Sequence, residues 1–168
     1  MKNIALFYGS TTGATEEIAK LIQQMMPNQI ALVQNIVDTT PDDIAQWDQL
    51  ILGVSTWYDG ELQDDWLDFF PQLDHIDFKG KKVAIFGLGD CFRFPQFFCD
   101  GIGILYEKLI ERGAEIIGFY STKGYKFQKS RAVVNGRFVG LPLDEDTEYH
   151  LTEQRIETWI QQIKTEFL

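Results

Sequence analysis

Along this chain, short unbroken apolar runs alternate with stretches in which apolar residues recur every three or four positions. Ile4–Tyr8 is the first run, compact enough to be a strand covered on both faces. Ile18, Leu21, Ile22 and Met25 then follow the i, i+3, i+4, i+7 spacing of a helix stripe, which predicts a helix over Thr15–Met26 ended by Pro27 and Asn28. The same alternation predicts strands at Ile30–Val33, Gln49–Val54, Lys82–Gly87 and Glu115–Tyr120. It predicts helices at Pro41–Gln46, Glu61–Phe70 and Asp100–Arg112, and a last one on which Ile156, Trp159, Ile160, Ile163 and Phe167 share a face. Strands alternating with helices build a parallel sheet covered on both sides. One segment breaks the rhythm. Ser121–Asp146 has no helical period, only Gly, Lys, Arg and short apolar pieces, and is expected to be a loop or small strand excursion interrupting the last strand. Irregular segments of that length are usually functional.

Composition narrows the class. A length of 168 residues predicts one domain spanning 1–168. Hydrophobic residues make up 45% and charged residues 24%, near the globular averages of about 45–50% and about 25%. With 15 Lys+Arg against 25 Asp+Glu, the net charge is −10. That sign argues against nucleic acid and against anionic membrane surfaces, both of which reward Lys and Arg. Ile4–Tyr8 is shorter than a signal-peptide core of about 7–15 residues, and no run approaches the ~18 apolar residues of a membrane span. Cys91 and Cys99 make no disulfide scaffold, and neither His75 nor His150 stands at metal-ligand spacing with them. A cytoplasmic monomer without a metal is the expectation.

In sheets of this kind, ligands bind outside the carboxyl ends of the strands, and three unusual loops leave those ends. The first, Gly9-Ser10-Thr11-Thr12-Gly13-Ala14-Thr15, brings four hydroxyls and two glycines to a helix start, where O–H and N–H donors can wrap a phosphate. It is neither a triphosphate loop, since the Gly spacing is short and the Lys missing, nor a G-x-G-x-x-G fingerprint. Gly-x-Thr-x-Gly imitates a hydrolase elbow with Thr in the nucleophile's place. The second loop, Ser55–Leu62, sets Trp57 and Tyr58 just past a buried strand. The third, Gly87–Asp100, holds Phe92, Phe94, Phe97 and Phe98, too many for an ordinary polar loop. A phosphate cradle with two aromatic loops describes a pocket for a flat phosphorylated cofactor.

Three motifs then resemble the flavodoxin family, long-chain type. They are Gly9–Thr15, Thr56-Trp57 followed by Gly60–Trp66, and Phe138–Asp146, so that the resemblance runs the length of the chain. It implies a doubly wound flavodoxin-like fold, a five-stranded parallel sheet of order 2-1-3-4-5 with helices on both faces and an insertion in the last strand. Flavodoxins are themselves a standing example of that order. It also implies FMN as cofactor, bound non-covalently. Ser10, Thr11, Thr12, Gly13, Ala14 and Thr15 would hold the phosphate, with Thr56 and Asp146 near the ribityl chain. Trp57 would cover one face of the ring and Phe94 the other, Phe92 and Phe97 being the alternatives for that second face. Leu88 belongs to the third loop's start, and backbone N–H groups of Gly89, Asp90 and Cys99 would border the ring's polar edge. The Tyr58 carbonyl would face flavin N5 in a turn completed by Asp59 and Gly60. A type II turn there would ask Asp59 for a positive φ.

The implied function is low-potential one-electron transfer between redox proteins, through the semiquinone and fully reduced states, rather than catalysis. Its levers are charge, burial and hydrogen bonding around the cofactor. Asp59, Glu61, Asp64, Asp65, Asp90, Asp100 and Asp146 belong to or flank the expected pocket and would disfavour further negative charge on the ring. Partners implied by the family are ferredoxin/flavodoxin-NADP reductases, photosystems, nitrogenase or radical enzymes. An FMN-dependent NAD(P)H:quinone or flavin reductase on the same fold is the alternative, and it would need a second nucleotide site that no motif supplies. A phosphoacceptor domain would need an acidic pair where this chain has Tyr8-Gly9-Ser10.

Overall fold

The computed structural model describes residues 2–168. Strand β1 (Ile4–Tyr8) runs parallel to β2 (Ile30–Asn35) on one side and to β3 (Gln49–Trp57) on the other. The end of β3 folds back through a tight turn into the two-residue antiparallel strand β4 (Glu61–Leu62), so that Thr56 faces Leu62 and Trp57 faces Glu61. Beyond β3 lies β5 (Lys82–Leu88), again parallel. Its outer edge is covered by two separate pieces. β6 (Glu115–Ile117) pairs Lys82–Ala84, and β10 (Leu141–Leu143) pairs Phe86–Leu88. Between them, β7 (Tyr120–Ser121), β8 (Val133–Val134) and β9 (Arg137–Phe138) form a small antiparallel sheet of order β7-β9-β8. With β6 and β10 as halves of one edge strand, the principal sheet has the expected order and the expected interruption.

The period of two along each strand divides the core between two faces. Ala5, Phe7, Leu50, Leu52, Val83 and Ile85 pack on one side, with α3 (Asp64–Phe69) and α4 (Asp100–Glu111). Ile4, Leu6, Ile51, Ala84 and Phe86 pack on the other, with α1 (Ala14–Met25) and α5 (Thr152–Glu166). The short helix α2 (Pro41–Ala45) starts from a capping box in which Thr40 and Asp43 satisfy each other's backbone N–H. No helix among the described residues is long and apolar enough to cross a membrane.

Two expectations change. Glu61–Phe70 is not one helix, because Glu61 and Leu62 are spent on β4. Gln63 then caps α3, its side-chain oxygen accepting the Trp66 N–H, and a 3₁₀ stretch, Phe70–His75, follows. Nor do residues 115–120 form one strand. Gly118 stands at φ +77, a turn that a side chain resists, and its carbonyl accepts the Trp159 indole N–H at 2.8 Å. The chain therefore leaves the sheet at Ile117, and Tyr120 begins the insertion.

The insertion has its own aromatic anchor. Tyr125 and Phe127 meet Phe138 at ring-centroid distances of 4.9 and 5.3 Å, and Phe127 stacks on Phe98 at 5.7 Å. The Tyr125 hydroxyl donates to the Pro142 carbonyl at 2.7 Å. The Arg155 guanidinium lies 3.9 Å from the centre of the Tyr125 ring and pairs with Glu148 at 3.0 Å, binding the insertion to α5. On α4, Gly103 lets the insertion come close, since a Cβ there would sit 2.3 Å from the Arg131 carbonyl oxygen. Gly103→Ala therefore sets a helix-propensity gain of about 1 kcal/mol against an overpacking cost of about 1–3 kcal/mol. The contact is with backbone, which cannot rotate away, so the cost wins. Urea denaturation is expected to show net destabilisation, with faster proteolytic cleavage within 121–138 than in the parent.

Candidate functional site

The loops after β1, β3, β5 and β10 converge at the carboxyl edge of the sheet around a cleft of about 300 Å³. The first loop turns at Gly13, φ +95, with the Gly13 N–H donating to Ser10 Oγ at 3.0 Å. Helix α1 starts there with no side-chain cap, so its first N–H groups have no partner within the helix. Thr12 and Ala14 line the cleft beside that helix end. Gly9 is required for a different reason than φ. A Cβ there would lie 2.4 Å from Gln63 Oε1 and 2.7 Å from the Trp66 ring, and Trp66 itself donates to the Gly53 carbonyl at 2.7 Å.

Two polar contacts bind the first loop to the second. Thr15 Oγ1 and Ser55 Oγ lie 2.5 Å apart, and Gln63 Nε2 donates to Thr11 Oγ1 at 3.0 Å. Thr56 Oγ1 accepts the Gly101 N–H at 2.8 Å, fixing the start of α4 against the end of β3. Trp57 is half-buried and Tyr58 is 63% exposed, both lining the cleft. The positive φ expected at Asp59 falls instead on its neighbours, Tyr58 at +49 and Gly60 at +85. Gly60 has no room for a side chain, because a Cβ would lie 2.6 Å from Asp100 Oδ2.

The third loop is organised by two carboxylates. Asp90 Oδ1 accepts the N–H groups of Phe92 and Arg93 at 3.0 and 2.7 Å, while Oδ2 takes the Arg93 Nε–H at 2.6 Å. Arg93 also stands 3.7 Å from Asp146, so it bridges two of the three acidic residues that line the cleft. Asp144 is fully buried. One oxygen accepts the N–H groups of Asp146 and Thr147 at 3.0 and 2.8 Å; the other accepts the Cys91 N–H at 2.9 Å and the Thr147 hydroxyl at 2.5 Å. Burial pushes its pKa up, but the hydrogen bonds from Cys91 and Thr147 outweigh this and hold it below the usual carboxylate value. The Cys91 thiol gathers with the Asp144 and Glu148 carboxylates within 4.8 Å, yet Asp144 is occupied by N–H donors and Glu148 by Arg155.

Eleven of the residues expected from sequence line this cleft: Thr12, Ala14, Thr56, Trp57, Tyr58, Leu88, Gly89, Asp90, Phe94, Phe97 and Asp146. Phe92 does not, being 80% exposed, and Phe98 is buried among Phe127 and Phe138. Ser10, Thr11, Gly13, Thr15, Asp59, Gly60 and Cys99 stand outside the wall. Thr15 is buried against Ser55, and Gly60 backs onto Asp100. Cys99 is wholly buried at φ +51, its thiol near the Gly87 and Leu143 carbonyls. Burial first, then Asp144, pushes both thiols up, Cys91 to about 11, which keeps them protonated. Ser55, Arg93 and Glu145 also line the cleft and Gln63 supports it, none of them among the residues expected from sequence. Gln63 sits in an acidic helix start and looks solvated there; only its pairing with Thr11 reveals it.

Asp144→Asn replaces one acceptor oxygen with an amide that opposes the Cys91 N–H and Thr147 hydroxyl. A stability loss of about 1–3 kcal/mol at pH 7 is expected from urea denaturation, holding down to the unfolded carboxylate value of about 4 and shrinking only as pH falls below it through the lowered folded value. Asp100 behaves oppositely. It is buried, and that burial raises its pKa despite the Arg131 N–H it accepts at 2.8 Å. A raised folded pKa means the folded state holds the proton longer, so stability falls as pH rises from about 4 through the raised value. Asp100→Asn keeps an acceptor for Arg131, so its stability relative to the parent should increase with pH across that window. A constant difference from pH 4 to pH 7 would contradict the assignment.

Comparison with known proteins adds to this geometry. A family model described as Flavodoxin matches residues 6–159. A flavodoxin of Synechocystis sp. is 50% identical over 165 residues, covering 98% of this chain and 97% of its own. One from Nostoc sp. is 45% identical over 166 residues, covering 99% and 98%. Among solved structures, the Fusobacterium nucleatum flavodoxin bound to flavin mononucleotide superimposes with a TM-score of 0.93 at 36% identity, covering 99% of each chain. By sequence, sheet order and the loops gathered at one edge, the chain belongs to the flavodoxin family.

Proposed function

We propose that the cleft binds one FMN and that the protein carries electrons between redox partner proteins. The observation that carries this reading is the pairing of two unlike ends in one cleft. Thr12 and Ala14 line it at the uncapped start of α1, while Trp57, Phe94 and Phe97 line it with aromatic surface. A helix start without a cap favours a phosphate dianion through free N–H groups and the helix dipole, and needs no cation. Ser10–Thr15 supply those donors. Thr56 and Asp146 flank the ribityl chain, Trp57 and Phe94 cover the ring, and Asp90 and Cys99 offer backbone N–H groups to its polar edge; the Gly89 N–H, expected there too, is spent on the Leu143 carbonyl at 3.0 Å. When bound, FMN supplies one-electron chemistry.

The protein's part is electrostatic and steric. Trp57 and Phe94 exclude water from the ring faces. Asp90, Glu145 and Asp146 make additional negative charge on the ring unfavourable. Arg93 offsets this locally, since it pairs with Asp90 at 2.6 Å. The Tyr58–Gly60 turn presents its backbone at the ring edge. No acid, base or nucleophile is needed for a carrier. Its donors and acceptors are of the class of NADP-linked reductases, photosystems, nitrogenase or radical enzymes, met in the cytoplasm.

Purified protein is expected to be yellow, or to take up one FMN per chain with quenching of tryptophan fluorescence. Riboflavin, which lacks the phosphate, should bind at least 100-fold more weakly. Phe94→Ala should weaken FMN binding by about tenfold, in line with an aromatic stacking contribution of about 0.5–1.5 kcal/mol. A colourless protein that takes up no FMN would overturn the reading.

A further inference from the structure

The charge of this chain is segregated. Lys123, Lys126, Lys129, Arg131 and Arg137, five of its 15 basic residues, fall within Ser121–Leu143, which contains no acidic residue. The remaining ten basic and all 25 acidic residues lie outside, so a segment of charge +5 is attached to a body of charge −15. All five cations are exposed. Two have partners within the fold. Arg131 pairs with Glu107 at 3.0 Å, and Arg137 donates to the Phe119 carbonyl at 3.2 Å across the Phe119 ring. Lys123, Lys126 and Lys129 form no ion pair among the described residues.

The stretch that carries Lys126 and Lys129 is held in a fixed place. Tyr125 and Phe127, on either side of Lys126, pack on Phe138 and Phe98, which leaves Lys126 on the outer surface. The Gln128 and Lys129 N–H groups both donate to the Pro95 carbonyl, at 2.7 and 2.9 Å. The Phe98 N–H donates to the Lys129 carbonyl at 3.3 Å, and Ser130 Oγ donates to the Phe98 carbonyl at 2.5 Å. The lysine segment is thus bonded to the same loop whose Phe94 and Phe97 line the cleft. Three like charges along seven residues, none of them in an ion pair, make this surface positive, and an acidic surface laid on it is favoured.

We propose that Lys123, Lys126 and Lys129 are a docking surface for an acidic redox protein, seated beside the Phe94 wall of the cleft and distinct from the acidic rim. The carrier then has two faces of opposite sign. Basic partners approach the acidic loops, and acidic ones approach the insertion. The proposal rests on the electron-carrier reading, and its test separates the two.

The test uses the FMN-loaded protein, labelled with nitrogen-15 and titrated with oxidised acidic plant-type [2Fe–2S] ferredoxin, with basic cytochrome c as the contrasting probe. Ferredoxin is expected to broaden amide resonances at Phe94–Phe97 and at Lys126–Arg131, with affinity falling at least tenfold between 20 and 300 mM NaCl. The triple variant Lys123→Glu/Lys126→Glu/Lys129→Glu should lose at least tenfold in ferredoxin affinity while keeping its FMN affinity and cytochrome c binding. No broadening at 20 mM NaCl, or equal broadening in parent and variant, overturns the proposal. Tighter binding of a short DNA duplex or of phosphatidylglycerol vesicles than of ferredoxin, lost in the same variant, also overturns it by assigning the patch to another class of partner. Failure of the dithionite-reduced protein to reduce cytochrome c would overturn the carrier reading itself.

Discussion

The outer edge of β5 has to be covered along its whole length, because unpaired strand N–H and C=O groups invite another chain. Two pieces of chain divide that task, β6 over Lys82–Ala84 and β10 over Phe86–Leu88. Most of what distinguishes this molecule depends on the division. The chain leaves at Gly118, builds a small sheet on an aromatic cluster and returns at Leu141 in parallel register. The return delivers Asp144 to the cleft edge of the sheet, where it gathers N–H groups from its own loop and from Cys91. Without a continuation of the sheet at that point, the Cys91 N–H of the third loop would lose its acceptor.

The cleft depends on similar cross-bracing. Thr15 with Ser55, Gln63 with Thr11, Thr56 with Gly101 and Asp144 with Cys91 each join loops from different strands. A site on four loops would be imprecise if each loop moved separately; polar contacts between them substitute for the rigidity of strands. The acidity of the region is also less uniform than its composition. Asp144 and Asp100 are buried behind the wall, and Arg93 bridges Asp90 and Asp146. The field at the cleft is set by a few paired groups rather than by the net charge of −10.

Strands and helix stripes were legible because they rest on periodicity, which burial on two faces imposes directly; the sheet order was implied only by the family resemblance. The hydroxyl-rich first loop was legible because its residue types have little other use at a helix start. Other features depend on partners distant in sequence. Glu61 and Leu62 continue an acidic helical pattern and become a strand only because β3 extends to Trp57 beside them. The run at 115–120 looks like one strand until Trp159, on α5, claims the Gly118 carbonyl. Asp144 stands in an acidic stretch that resembles a solvated face, yet it is fully buried because donors surround it. The strain expected at Asp59 lies at Tyr58, since pairing of Trp57 with Glu61 sets where the turn must bend.

The lysines of the insertion stand on residues that do the packing and take no part in it themselves. Tyr125, Phe127 and Phe138 keep the segment in place, and the sheet beneath is closed by β6 and β10 whatever stands at positions 123, 126 and 129. Heritable variation at those three positions can therefore change the sign of one surface at little cost to the fold or to the cleft. Descendants of one carrier could in this way acquire different acquaintances among redox proteins while keeping the same cofactor chamber.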